Sequence, residues 1–223
     1  MALQPPKKKR RITYGDTVAV YVGAEKRLFT LHESVVLEHS KFFRAALTKG
    51  FKEGQSRLIH LPEIETPAFE AYIQWMYSHE IVINECESVE EASKTRKQYS
   101  ELIELYVVGD RLENTNLRNE VMTALVQLQE QSDPNPGCKN VSRVYKETPE
   151  SSPLRRFVLD SWLDADPDEA IPYMKYMRLK FPTEFIFDMA LELFQGKTRP
   201  AVRPVDRPKC FYHEHNDETP ACE

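Results

Sequence analysis

Residues 16–62 read DTVAVYVGAEKRLFTLHESVVLEHSKFFRAALTKGFKEGQSRLIHLP, and their hydrophobic period changes twice. From Thr17 to Val22 the β-branched run TVAVYV alternates. After Gly23-Ala24-Glu25 the run Arg27–Leu31 (RLFTL) continues the pattern, which predicts a β-hairpin. Between Ser34 and Leu47 the period lengthens to a helical one. Val36 and Leu37 form a first apolar patch, and Ser40 is placed to cap a second short helix holding Phe42, Phe43, Ala46 and Leu47. Lys49-Gly50 marks a helix stop. Arg57–Leu61 alternates again and ends at Pro62, which predicts a third strand.

Thr66-Pro67 then starts a helix with a cap and a proline in the first turn, its expected buried stripe being Phe69, Tyr72, Ile73, Met76 and Tyr77. After Ile81-Val82-Ile83, residues 84–98 are rich in Glu, Ser and Lys and read as an exposed insertion or a charged helix start. Leu102, Leu105, Tyr106, Gly109 and Leu112 mark one helical face, and Leu117, Val121, Ala124, Leu125 and Leu128 mark the next, with Asn114-Thr115-Asn116 between them. Ser132–Gly137 (SDPNPG) is the clearest linker. Beyond it Val141–Tyr145 is expected to be extended. Ser152-Pro153 opens a helix carrying Leu154, Phe157, Val158 and Trp162, and Asp164–Pro167 breaks it. A last helix is expected from Thr183 to Gln195 with Phe185, Ile186, Met189, Ala190 and Leu193 inward.

With 223 residues, 41% of them hydrophobic, the chain has enough apolar mass to bury a real core. Its formal charge of -5 argues against a whole-surface attraction to nucleic acid, and specific nucleic-acid binding is not expected. No stretch approaches a membrane span, and Met1 leads directly into a basic run without an apolar signal core. The expectation is an intracellular protein without membrane contact, in which Cys86, Cys138, Cys210 and Cys222 are reduced thiols or metal ligands instead of disulfides.

The order strand, strand, two short helices, strand, helix, helix pair resembles that of a BTB/POZ domain, and residues agree with it one by one. Asp16-Thr17-Val18 resembles the start of the family's first core strand. Phe29-x-x-His32, followed by Val36–Leu47 with Phe42-Phe43, resembles its HK-x-x-L-x-x-x-S-x-x-F run. Phe51-Lys52-Glu53, Ile59–Pro62, Phe69 and Trp75–Ser78 match the F-x-E, I-x-L, F and W/I-x-Y-T-G positions in order, and Leu105–Leu112 (LYVVGDRL) looks like the L-x-x-A-D-x-Y/L helix. Tyr145–Pro149, Pro153–Arg156 and Cys210–His215 are similar to the C-terminal halves of BTB proteins from filamentous fungi. The sequence departs from the pattern at Glu33, where Lys is frequent, and at Ser78-His79, where Thr-Gly is usual.

The resemblance implies an α+β BTB/POZ fold at residues 14–131, a small mixed sheet capped by helices. A basic disordered tail precedes it (1–13), a linker follows (132–137), and a mainly helical extension with a Cys/His-containing tail completes the chain (138–223). It also implies protein-protein interaction, with a groove between helices that receives a partner helix, and with a cullin scaffold of a ubiquitin ligase or a chromatin factor as partner. The stretch before Asp16 lacks the amphipathic helix and strand that long-form members exchange, so the resemblance leaves homodimerisation open.

Three groups of residues bear on chemistry. Lys7, Lys8, Lys9, Arg10 and Arg11 follow Pro5-Pro6 and match a nuclear-import signal read by acidic pockets of a transport receptor, placing the protein in nucleus and cytoplasm. A solvated tail and salt-sensitive contact with DNA phosphates are the other readings. Cys210, His213, His215 and Cys222 offer the thiolate and imidazole ligands zinc prefers. Two histidines one residue apart share a face of an extended strand, and Asn216-Asp217 can turn the chain so that Cys222 returns. A closed four-ligand shell leaves no water to activate, so such a zinc is structural; the other reading is a surface tail with ordinary thiols. The aromatics Phe42, Phe43, Phe69, Tyr72, Trp75 and Tyr77 are expected to be core, as are Trp162, Phe185 and Phe187, although one of the last two must face outward on a single-faced helix.

No H-E-x-x-H, phosphate-binding glycine loop or G-x-S-x-G elbow occurs, and Asp164 and Asp166 sit where helix capping is their expected use. The function expected is therefore an interaction module, an adaptor or nuclear cofactor, with no catalytic residue assigned. The alternative is a nucleic-acid-associated regulator that uses the basic tail and a zinc-stabilised C-terminus.

Overall fold

Alternation in residues 17–32 does produce the hairpin: in the computed structural model, β1 (Thr17–Val22) pairs antiparallel with β2 (Arg27–His32), Val20 opposite Phe29. Residues 15–48, 50–83, 91–131, 135–196 and 202–222 are described. The import candidate Lys7–Arg11 and Cys86 lie outside them, as does part of the proposed linker. The described chain forms two compact units, one through Thr66 and one from Pro67.

In the first unit β3 (Leu58–Leu61) pairs with β1 in parallel, Val20 opposite Ile59, giving the order β2-β1-β3. Val18, Val20 and Val22 are fully buried on the central strand, as the period of two requires. A parallel pair needs a crossover, and three short helices supply it: α1 (Glu33–His39), α2 (Lys41–Ala46) and α3 (Lys52–Ser56). Ser40 separates the first two, its hydroxyl oxygen accepting from the Phe43 N–H at 3.1 Å. Helix α3 is not anticipated by the apolar pattern, because it contains almost no apolar residue. It is fixed by close approach, since a Cβ on Gly54 would sit 2.1 Å from the Thr48 carbonyl oxygen.

The second unit is helical. Helix α4 (Thr66–Ser78) buries Phe69, Tyr72, Trp75 and Met76, whereas Tyr77, expected inside, is 41% exposed. The helical period explains the exchange: Trp75 lies three residues beyond Tyr72 and occupies the inward stripe. His79, which replaces the family's glycine, takes φ +58°, the left-handed conformation that glycine adopts without strain. Helices α5 (Glu91–Arg111) and α6 (Thr115–Gln131) pack as a hairpin. Asn114 caps α6 by accepting from the Leu117 N–H at 3.0 Å, and the Trp75 indole donates to Glu120 at 2.6 Å.

Downstream lie α7 (Cys138–Glu147), α8 (Pro153–Leu163), α9 (Pro167–Tyr176) and α10 (Thr183–Gly196), then a 3-10 turn at Pro204–Asp206. The extended reading of Val141–Tyr145 is corrected here. Cys138, Val141, Val144 and Tyr145 are all buried at helical spacing, and this outweighs the β preference of two valines. Ser152 and Asp166 cap α8 and α9, so the capping role expected of Asp166 is met. A cleft of about 560 Å³ opens beside it, lined by Arg96, Gln129, Trp162, Asp164, Asp166 and Tyr173 among others. Phe185 is buried against Trp162, Phe181 and Tyr145, while Phe187 on the same helix is 62% exposed and is not core. Among the described residues no helix is long and apolar enough to cross a membrane.

Candidate functional site

The C-terminal segment that follows the 3-10 turn has little secondary structure of its own, so side chains must hold it. Asp160 on α8 is the deepest anchor, 2% exposed, and accepts from Arg207 at 3.0 Å and from the Tyr212 hydroxyl at 2.8 Å while pairing with Arg156 at 2.6 Å. Burial first, and then the Asp160 carboxylate, holds the Tyr212 phenol well above the ordinary tyrosine range, so it stays a donor. Two residues on, the Asn119 side chain of α6 clasps the backbone of Glu214 from both sides, donating to its carbonyl and accepting from its N–H, each at 2.8 Å. The Glu214 carboxylate pairs with Arg118 at 2.6 Å, yet burial raises it above the usual carboxylate value.

These contacts present His213 and His215 on one stretch of chain, their ring centroids 6.2 Å apart. The turn at Asn216 closes with reciprocal backbone hydrogen bonds to Thr219 at 3.0 and 3.1 Å. The Asn216 side chain also accepts from the Glu218 and Thr219 N–H groups. The chain thereby reverses, and Cys222 returns to Cys210 with 6.0 Å between their Cα atoms. One donor atom from each of Cys210, His213, His215 and Cys222 falls within 4.8 Å of the others.

The two sulfurs are in direct contact, the pairing a disulfide would make, within the same set of donors expected as reduced thiols or metal ligands. Cys138 is a buried thiol in another part of the unit. Burial chiefly, with the charges of His215 and Lys209, keeps the His213 imidazole below its ordinary pKa.

The sequence alone pointed to the four donors because they are close along the chain. It did not point to Asn119, Thr123 or Asp160, which meet the segment from 47 to 95 positions away. A lone Asn, Thr or Asp on a helix carries no signal of such a role.

Comparison with known proteins bears on the rest of the chain. The family model described as BTB/POZ domain matches residues 12–127. "Kelch repeat and BTB domain-containing protein 4" of Pongo abelii is 30% identical over 101 residues, which is 45% of this chain and 17% of that protein. The Homo sapiens protein of the same name is also 30% identical, and that of Mus musculus 28%, each over 45% of this chain and 16% of its own length. The similarity thus covers a small part of these relatives.

Proposed function

The chain belongs to the BTB/POZ domain family, and from that premise we propose that residues 14–131 dock a cullin scaffold, making the protein an adaptor of a ubiquitin ligase. BTB/POZ domains are protein-interaction modules, and the α+β fold, a three-stranded mixed sheet with helices and a helical C-terminal region, is the one expected of this chain. The observation that carries the proposal is the family match over residues 12–127. The helices between Cys138 and Gly196, with the Cys/His-containing segment after them, are read as an extension of the type found in filamentous fungi, a reading supported by the likeness of Tyr145–Pro149, Pro153–Arg156 and Cys210–His215.

A docking role needs an accessible apolar anchor, because a few buried aromatic contacts supply most of the energy of an interface. Phe51 supports this reading. It stands at the N-cap of α3 with 58% of its surface exposed, beside the exposed Lys52 and Glu53. Affinity purification with mass spectrometry, from cells that naturally express the chain, tests the proposal. The full chain should recover a cullin, and Phe51→Ala should reduce that recovery strongly, in line with a hot-spot loss of about 2 kcal/mol or more. Recovery without any cullin would sink the reading.

The run Lys7–Arg11 supports a second reading, in which the protein enters the nucleus through an import receptor and works on chromatin. The same purification separates the two. Chromatin proteins or DNA recovered in place of a cullin, and lost when residues 1–13 are removed, would favour the second.

A further inference from the structure

We infer that Cys210, His213, His215 and Cys222 bind one zinc ion in a closed structural site that fastens the C-terminal segment to α6. The four donors already converge within 4.8 Å. Tetrahedral zinc, with bonds of about 2.3 Å to sulfur and about 2.0 Å to nitrogen, sets its ligand atoms roughly 3.3–3.8 Å apart, so loading draws in the widest-spaced donors and parts the touching sulfurs, and His213 Nδ1 from Cys222 Sγ, by an ångström or so.

The hydrogen bonds fix which nitrogen each histidine presents. The Thr123 hydroxyl donates to the Asn119 carbonyl at 3.1 Å, so it meets His213 Nε2 at 3.0 Å as an acceptor, and the ring proton sits on Nε2. The bare Nδ1 of His213 then faces Cys222 Sγ at 3.1 Å. A bare nitrogen and a sulfur this close need a proton or a metal ion between them, and a shared zinc satisfies both at once.

His215 has the opposite tautomer. Its Nδ1 lies 3.2 Å from the Thr219 carbonyl, which only accepts, so Nδ1 carries the proton and Nε2 is left to bind. A ligating imidazole whose other nitrogen donates to an oxygen is the usual arrangement around protein-bound metals. The Cys222 N–H also points at Cys210 Sγ, 3.1 Å away, a bond that stabilises a thiolate.

A disulfide between Cys210 and Cys222 would use two members of this set and leave the paired tautomers of both histidines without purpose. Two thiolates and two imidazoles in a tetrahedron select zinc over the harder divalent ions. All four positions are filled by protein, so the ion holds structure and activates no water. What it holds is defined, because His213 and Glu214 are the residues clasped by Thr123 and Asn119.

The test uses the full chain purified under reducing conditions without chelator. Elemental analysis should give one zinc per chain, chelation should lower the thermal midpoint, and added zinc should restore it. His215→Ala and Cys210→Ser should lose the metal. If either variant fails to fold, cobalt exchanged into the unmodified protein provides the reading: a thiolate-to-cobalt charge-transfer band with visible bands of tetrahedral intensity is expected. A folded chain without zinc, a metal retained in both variants, or a cobalt spectrum lacking the thiolate band would overturn the assignment. None of these results depends on whether a cullin binds.

Discussion

Asp160→Ala should destabilise the second unit by about 3–5 kcal/mol, the usual consequence of removing one partner from a buried ionic network. The carboxylate receives Arg156, Arg207 and the Tyr212 hydroxyl at 2.6, 3.0 and 2.8 Å, and is itself 2% exposed. Alanine takes this acceptor from the Arg207 guanidinium and the buried Tyr212 hydroxyl, while Arg156 keeps Glu192, and the desolvated groups cost more than the net worth of the bonds themselves. Because Arg207 and Tyr212 flank the stretch that carries the Cys/His set, hydrogen exchange should rise there before it rises in α5 and α6. Urea unfolding of the variant measures the first effect. A change below about 1 kcal/mol would show that solvent screens the network as it does a surface pair.

The second large effect is expected at Phe185. Its ring is fully buried, 5.5 Å from both Tyr145 and Phe181 and 6.2 Å from Trp162 by ring centroids. Phe185→Ala should cost about 3–5 kcal/mol through lost transfer energy and the cavity left behind. Phe187→Ala, two residues on and 62% exposed, should change stability by no more than about 0.5 kcal/mol. Equal effects at the two positions would place the inward face of α10 wrongly.

The elements that the amino-acid order predicted are those whose signal is local. Ser40 caps the helix it was expected to cap, and Thr17–Val22 alternates because one face of β1 is buried. Where the prediction failed, a tertiary cause competed with the local one. Val141 and Val144 favour a strand locally, but Cys138 and Tyr145 complete a helical stripe with them that the core takes up. Helix α9 has no fully buried residue and carries Pro172 inside it, so its pattern is weak, and α3 depends on the space left by Gly54.

The same division holds for the candidate site. Cys210, His213, His215 and Cys222 were visible in the order of residues, as was the turn at Asn216 that brings the last of them back. The Thr123 hydroxyl that sets the His213 tautomer lies 90 positions away. Only folding brings it there.

Titration of the purified full chain against each cullin of its native cell, followed by calorimetry, tests the adaptor reading most directly. A one-to-one complex with one of them, of micromolar affinity or tighter and thus about -8 kcal/mol or better, is the result expected. No heat and no co-migration with any cullin at roughly a hundredfold higher concentration, while the chain remains folded, would contradict it.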